Sequence, residues 1–165
     1  MNLPATICII GAMTALPALG AGSAPIVTPE EQVAKQESPA VTAYNQGVEL
    51  LKGKRFAQAQ KKFEQAVKLD PTFAEAYNNL AFTLRRQGSA NYQKSLELYN
   101  KAIQLKPKLA EAYMYRGVLY TQMGRKADAQ ADLARLEKLN VRLAKELEEY
   151  IRTGKEEDYL YGATN

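Results

Sequence analysis

The chain of 165 residues contains no histidine and no tryptophan, and its single cysteine, Cys8, lies within the first ten residues. Without imidazole, Ser-His-Asp and Cys-His catalysis has no general base, and neither His-containing nor multi-thiolate metal sites can be built. One thiol closes no intramolecular disulfide. The glycine-containing turns match neither GxxxxGK[ST] nor GxGxxG, so both common phosphate cradles are absent, as are calcium-loop spacings. The carboxylates Glu30-Glu31, Glu148-Glu149 and Glu156-Glu157-Asp158 are adjacent in sequence. Neighbours of that kind do not face each other across a cleft at the fixed separation that paired acid/base work needs. The expectation is a non-enzyme with no catalytic residue, cofactor or metal, acting through its surface.

Charge of one sign is also in short supply. The net charge is +4 and the pI about 9.1, yet Lys and Arg alternate with Glu, as in "LARLEKLNVRLAKELEEYIR". The clusters Lys52-Lys54-Arg55, Lys61-Lys62 and Arg85-Arg86 are short. Mixed-sign patterning of this kind describes solvated helix faces, and no nucleic-acid partner is expected.

Residues 3–19, "LPATICIIGAMTALPAL", carry no charge and run into the small residues "GAGSAP". An apolar stretch closed by Pro17 and followed by Ala18-x-Gly20 resembles a secretory signal segment, with cleavage expected after Gly20. Gly11 and Pro17 weaken it as a permanent anchor, and no Lys or Arg precedes it. Residues 21–37 hold prolines and little apolar periodicity, the pattern of a linker. The chain is therefore expected to be exported to a bacterial periplasm, with membrane contact only through its N-terminal segment; an uncleaved tether is the alternative.

What the chain does have is a repeat. "AEAYNNLAFTLRRQG" (74–88) returns as "AEAYMYRGVLYTQMG" (110–124), and "AVKLDP" returns as "AIQLKP", so Pro71 and Pro107 stand 36 residues apart. Tyr77, Leu80 and Leu84 fall at i, i+3 and i+7, one stripe of a helix, and Phe63 with Val67 or Tyr99 with Ile103 extends the same seam on the following helices. Gly47, Ala81 and Gly117 are small where paired helices must cross closely, as are Ala59, Ala66 and Ala102 on the opposing side. Ser38-Pro39 reads as a helix start, Thr72-x-x-Glu75 as a capping box, and Gly53, Gly88 and Gly124 as turns. Leu143, Leu147, Tyr150 and Ile151 make one stripe of a last helix that Gly154 stops, with Arg142, Lys145, Glu146, Glu149 and Arg152 outside. The tyrosines of the stripes, Tyr77, Tyr99 and Tyr113, are expected in the core.

These positions resemble the tetratricopeptide repeat family, whose period is about 34 residues; the extra length falls in the turn "RRQGSANY". Gly47, Leu50, Phe56, Ala59, Phe63, Ala66 and Pro71 carry the likeness in the first unit. Tyr77, Leu80, Ala81, Leu84, Tyr92, Ser95, Tyr99, Ala102 and Pro107 carry it in the second, and Tyr113, Gly117, Tyr120, Gly124 and Ala129 in the third. In the third unit Leu133, Leu136 and Val141 replace the aromatic, small and proline residues of the pattern. The resemblance implies an all-α, right-handed α-solenoid of about three helix-turn-helix repeats over 40–73, 74–109 and 110–140. A capping helix at 140–153 completes a domain spanning 38–153, and a tail follows at 154–165.

The family likeness also implies a concave groove lined by the first helices, and with it a protein-binding scaffold. On this chain the groove stripe is Tyr44, Val48, Leu51 and Lys52, then Asn78, Phe82, Arg85 and Arg86, then Met114, Val118, Thr121 and Gln122. Val48, Phe82, Met114 and Val118 are expected as an exposed apolar floor, rimmed by Lys52, Arg85 and Arg86. Such a surface suits a protein or peptide partner with apolar anchors and acidic flanks. Asn79 fits the clamp by which some family members hold a terminal carboxylate, but Tyr44, Val48, Glu111 and Tyr115 do not. The tail's acidic and aromatic residues, Glu156 to Tyr161, are a candidate to fold back and mask the groove, and self-assembly into an oligomer through an exposed end or the groove is the competing class.

Overall fold

The computed structural model describes residues 37–155. The signal segment, nearly all of the linker and the tail beyond Lys155 lie outside the described residues. Among the described residues seven α-helices follow one another: α1 (Pro39–Lys52), α2 (Phe56–Leu69), α3 (Ala74–Arg86), α4 (Tyr92–Leu105), α5 (Ala110–Gln122), α6 (Lys126–Leu139) and α7 (Val141–Thr153), with a short 3-10 turn at Ser89–Asn91. No strand occurs among the described residues. Packing is between neighbours in sequence: α1 on α2, α3 on α4, α5 on α6, with α2 on α3, α4 on α5 and α6 on α7 joining the pairs, and α5 also meeting α7. Contacts that are mostly between adjacent units make this an all-α repeat solenoid.

Small residues decide how close the pairs come. Ala59, Ala66, Ala81 and Ala102 are fully buried. A Cβ added to Gly47 would stand 2.6 Å from Phe63 Cε1, and one added to Gly117 would stand 2.5 Å from Leu147 Cδ2. Both neighbours are themselves fully buried, so neither has room to retreat. Tyr99 and Tyr113 are in the core, with the Tyr113 hydroxyl donating to the Pro107 carbonyl at 3.1 Å, while Tyr77 is half-buried.

Helix boundaries agree with the sequence in some places and depart in two. Ser38 Oγ accepts from the Val41 amide at 3.3 Å with Pro39 in the first turn. Asn140 Oδ1 accepts from the Leu143 amide at 3.2 Å, and Gly154 closes α7 at φ 68. The capping box at Thr72 does not form. Asp70 Oδ1 takes both the Thr72 amide, at 2.8 Å, and its hydroxyl, at 2.7 Å, and α3 begins instead after Phe73. Asp70 competes locally for the hydroxyl, and the Phe73 ring is anchored 4.8 Å from Tyr44. In the α1–α2 turn the left-handed residue is Lys54, at φ 55, whereas Gly53 sits at φ −78.

Both ends of the described array are polar. Thr42, Asn45, Gln46 and Glu49, at i, i+3, i+4 and i+7, are exposed on α1. Arg142, Lys145, Glu149 and Arg152 are exposed on α7, where Leu143, Leu147 and Tyr150 are buried beneath them. Glu146 departs from the expected outer face: its side chain is only 11% exposed, paired with Arg142.

Candidate peptide-binding face

The expected groove residues divide by unit. In α1, Tyr44 is half-buried, its ring 5.8 Å from Phe63, and its hydroxyl accepts from Asn79 Nδ2 at 3.1 Å. Burial pushes that phenol above its ordinary value, with the Glu75 carboxylate adding to the effect, so Tyr44 stays protonated as a hydrogen-bonding group. Asn79, the one clamp-like position, thus has its amide engaged inside the repeat. Val48 is half-buried and Lys52 is exposed, its Nζ 2.8 Å from Glu49 Oε1. Together with Thr42, Asn45, Leu50 and Arg55 they line an open depression of about 690 Å³.

The residues of α3 and α5 do not form an exposed floor. Asn78 is 4% exposed, Phe82 2%, Arg85 3%, and Met114 and Val118 0%. This corrects the expectation: of the four apolar floor residues only Val48 retains partial exposure. One reason is Tyr115, a residue outside the expected stripe. Its ring lies 4.9 Å from Phe82 and 6.5 Å from Tyr99, so an aromatic seam closes α3 against α5. The sequence signal for it was the Tyr113-x-Tyr115 pair, which puts two aromatic residues on different faces of one helix. The Arg85 guanidinium lies 5.2 Å from the Phe82 ring, and Arg86, half-buried, lies 5.7 Å from the Phe56 ring. Thr121 is half-buried, its hydroxyl donating to the Gly117 carbonyl at 2.9 Å, and Gln122 is exposed.

Asn78 stands out among these. Its Nδ2 donates to Asn79 Oδ1 at 3.2 Å, while its Oδ1 is buried and accepts no hydrogen bond. An unmatched buried acceptor costs about 1–3 kcal/mol, so the stripe holds one polar atom that the repeat itself leaves without a donor. Among the described residues there is no group of three potential metal ligands, and no helix is long and apolar enough to cross a membrane.

A family model described as TPR repeat matches residues 47–88 and 91–124. The chain is 28% identical over 109 residues to the photosystem I assembly protein Ycf3 of Cyanophora paradoxa, covering 65% of this chain and 62% of that protein. It is 33% identical over 104 residues to tetratricopeptide repeat protein 36 of Xenopus tropicalis, covering 61% and 50%. The chain therefore spans less than two thirds of the length of either relative. Among solved structures, the Arabidopsis OM64 TPR domain superposes with a TM-score of 0.63 at 24% identity, over 70% of this chain and 96% of that one. MamA superposes with a TM-score of 0.54 at 23% identity, over 73% and 64%. At these identities the structural likeness speaks for the fold.

Proposed function

We propose that this chain, a tetratricopeptide repeat protein by the match of residues 47–88 and 91–124, is a scaffold that holds a partner by a short segment seated in the depression beside α1. The observation that carries the reading is that open depression of about 690 Å³, with half-buried Val48 and Leu50 in its lining and the cations Lys52, Arg55 and Lys62 around them. An extended peptide offers an apolar side chain for Val48 and Leu50 and carboxylates for Lys52, Arg55 and Lys62. We include in the proposal that the partner segment is apolar with acidic flanks and that the setting is periplasmic, the latter resting on residues 1–20. An assembly role, which the name of the Cyanophora paradoxa relative states for that protein, fits a scaffold that holds subunits before they are joined. Self-stacking through the array's ends has little support, since a stacking face is apolar and both described ends are polar.

The test is a binding screen of acidic-apolar peptides against the full chain and its Lys52→Glu variant. Peptides that bind the wild type at micromolar affinity and lose at least tenfold in the variant support the site. Peptides insensitive to Lys52, with Val48 and Leu50 signals unmoved in NMR titration, would place binding elsewhere.

A further inference from the structure

We infer that the depression beside α1 is polarised and selects its partner by charge order, an acidic residue on one side of the apolar anchor and a basic residue on the other, with Glu37 as the specificity-determining residue. This rests on the preceding reading of the depression as a peptide site, and it narrows the partner from acid on both flanks to acid on one.

The order of the lining follows from the helix. Val48 and Leu50, half-buried, form the apolar middle. Lys52 stands one turn beyond Val48, and Arg55 follows at the start of α2. Lys62 comes from α2 itself. Its neighbour Phe63 packs on Gly47, where an added Cβ would stand 2.6 Å from the ring, so Lys62 is level with Val48. Against these three cations this part of the lining sets one carboxylate, Glu49, already joined to Lys52 at 2.8 Å. Toward the start of α1 the lining changes sign: Thr42, Asn45 and Gln46 are neutral, and the one charge is that of Glu37.

Glu37 precedes the helix, yet its carboxylate is held against it, because Asn45 Nδ2 donates to Glu37 Oε2 at 3.0 Å. Asn45 lies one turn before Val48 and Lys52 one turn after it, so the acid and the base straddle the anchor by about 5–6 Å along the axis on either side. Two extended residues cover about 7 Å. Alternate side chains of an extended segment also point to one face. An acidic, an apolar and a basic residue at alternate positions can therefore turn together to the helix and meet Lys52, Val48 and Glu37 in that order. A second acidic flank would instead face the Glu37 carboxylate, and like charges brought together reject a partner more effectively than they weaken the right one.

The test uses the full chain with its Glu37→Lys and Lys52→Glu variants, each checked for helix content by circular dichroism. The probes are two fluorescein-labelled peptides, EESLSKK and EESLSEE, each made in both chain directions so that the tighter direction is compared. Anisotropy is measured at about 0.15 M salt, where charges farther apart than about 8 Å are screened. The expected result is at least threefold tighter binding of EESLSKK to the wild type, about the size of one exposed ion pair exchanged for a repulsion. The net charge of +4 favours the more acidic peptide, so non-specific attraction cannot produce that preference. Glu37→Lys should reverse it, and Lys52→Glu should weaken both peptides. Equal affinity of the wild type for the two peptides, or a preference unchanged by Glu37→Lys, overturns the charge order; if both peptides still depend on Lys52, the peptide site itself stands. No binding of either peptide also overturns it, and longer acidic-apolar peptides that need Lys52 would again leave the site standing. Binding that ignores Lys52 removes the site and the charge order together.

Discussion

Arg116 grips Asp132 with two nitrogens, Nε to Oδ2 at 2.9 Å and Nη2 to Oδ1 at 2.6 Å, while its Nη1 donates to Asn100 Oδ1 at 2.6 Å. Shifting back by 36 residues replaces this pair with Leu80 and Leu96, both buried. The same two places in consecutive units are thus held once by apolar packing and once by an ion pair. The Asp132 side chain is 4% exposed and that of Arg116 18%. Burial pushes the Asp132 carboxyl up, and the facing guanidinium draws it down by less.

That balance predicts opposite outcomes for two variants. Asp132→Asn leaves the guanidinium without its counter-charge and is expected to lower stability by about 3 kcal/mol in urea denaturation, in the range for breaking a buried pair. Arg116→Leu with Asp132→Leu, which copies the second unit, is expected to be neutral or stabilising by about 1 kcal/mol, since it also removes the desolvation penalty. The sign of the pH effect follows from the raised carboxyl. A group whose folded pKa lies above its unfolded value favours the fold below the unfolded value, and loses that contribution as pH rises through the folded one. The wild type should therefore carry a component of stability that falls as pH rises out of the carboxylate range, and the double leucine variant should lack it. A double variant several kcal/mol less stable than the wild type would show that the pair is a net stabiliser.

A second prediction concerns Gly117. A methyl there would lie 2.5 Å from Leu147 Cδ2 and 2.9 Å from Cδ1. Overpacking costs about 1–3 kcal/mol, against a gain of about 1 kcal/mol in helix propensity over glycine. Gly117→Ala is expected to be net destabilising by up to about 2 kcal/mol. Leu147→Ala opens the space but costs about 2–5 kcal/mol by itself. The double variant should therefore lose less than the sum of the two, which a thermodynamic cycle reads as coupling. Gly53→Ala is the control, because the nearest atom to its Cβ is the Leu50 carbonyl oxygen at 3.5 Å. A loss at Gly53 equal to that at Gly117 would mean that packing against α7 is not the cause.

The third prediction is a gain. Lys54 holds φ 55 where, 70 residues on, the third unit has Gly124 at φ 74. A left-handed conformation costs a residue with a Cβ about 1–2 kcal/mol, part of which glycine returns through its larger unfolded-state freedom. Lys54→Gly is expected to raise stability by about 0.5–1 kcal/mol, and Gly124→Ala to lower it by about 1 kcal/mol. Thermal unfolding of the two variants checks both signs, and a destabilising Lys54→Gly would show that the lysine side chain contributes more than its backbone strain costs.

How far the sequence could be read follows from which residues have a repeating cause. Ala59, Ala66, Ala81, Ala102, Gly47 and Gly117 recur because helices cross at the same place in each unit, so periodicity alone locates them and gives the solenoid. Thr72 caps no helix because Asp70 sits two residues before it, and a competing acceptor is not a periodic feature. The burial of the groove stripe is hidden for a similar reason. Position on a helix face told which residues share a side, but exposure depends on what the next helix presents, and Tyr115 presents a ring to Phe82. Nor does any repeat register announce Asn78 Oδ1 as unpaired, since that depends on where its neighbours' donors point.

Asn78 supplies a prediction in which replacing a buried polar residue does not weaken the fold. Leucine has nearly the shape of asparagine, and at a site only 4% exposed it removes an acceptor that has no donor within the repeat. The Nδ2 contact to Asn79 is lost at the same time, but that hydrogen bond is long, at 3.2 Å, and a net hydrogen bond is worth about 1 kcal/mol. Relief of an unsatisfied buried atom is of similar or larger size, about 1–3 kcal/mol, and the added apolar contact favours the fold further. Asn78→Leu is therefore expected to hold or raise the urea midpoint, by up to about 1 kcal/mol in stability. Replacing a residue kept for its packing has the opposite sign, because it leaves a cavity. A urea midpoint below that of the wild type would show that the Nδ2 contact to Asn79 outweighs the unmatched acceptor.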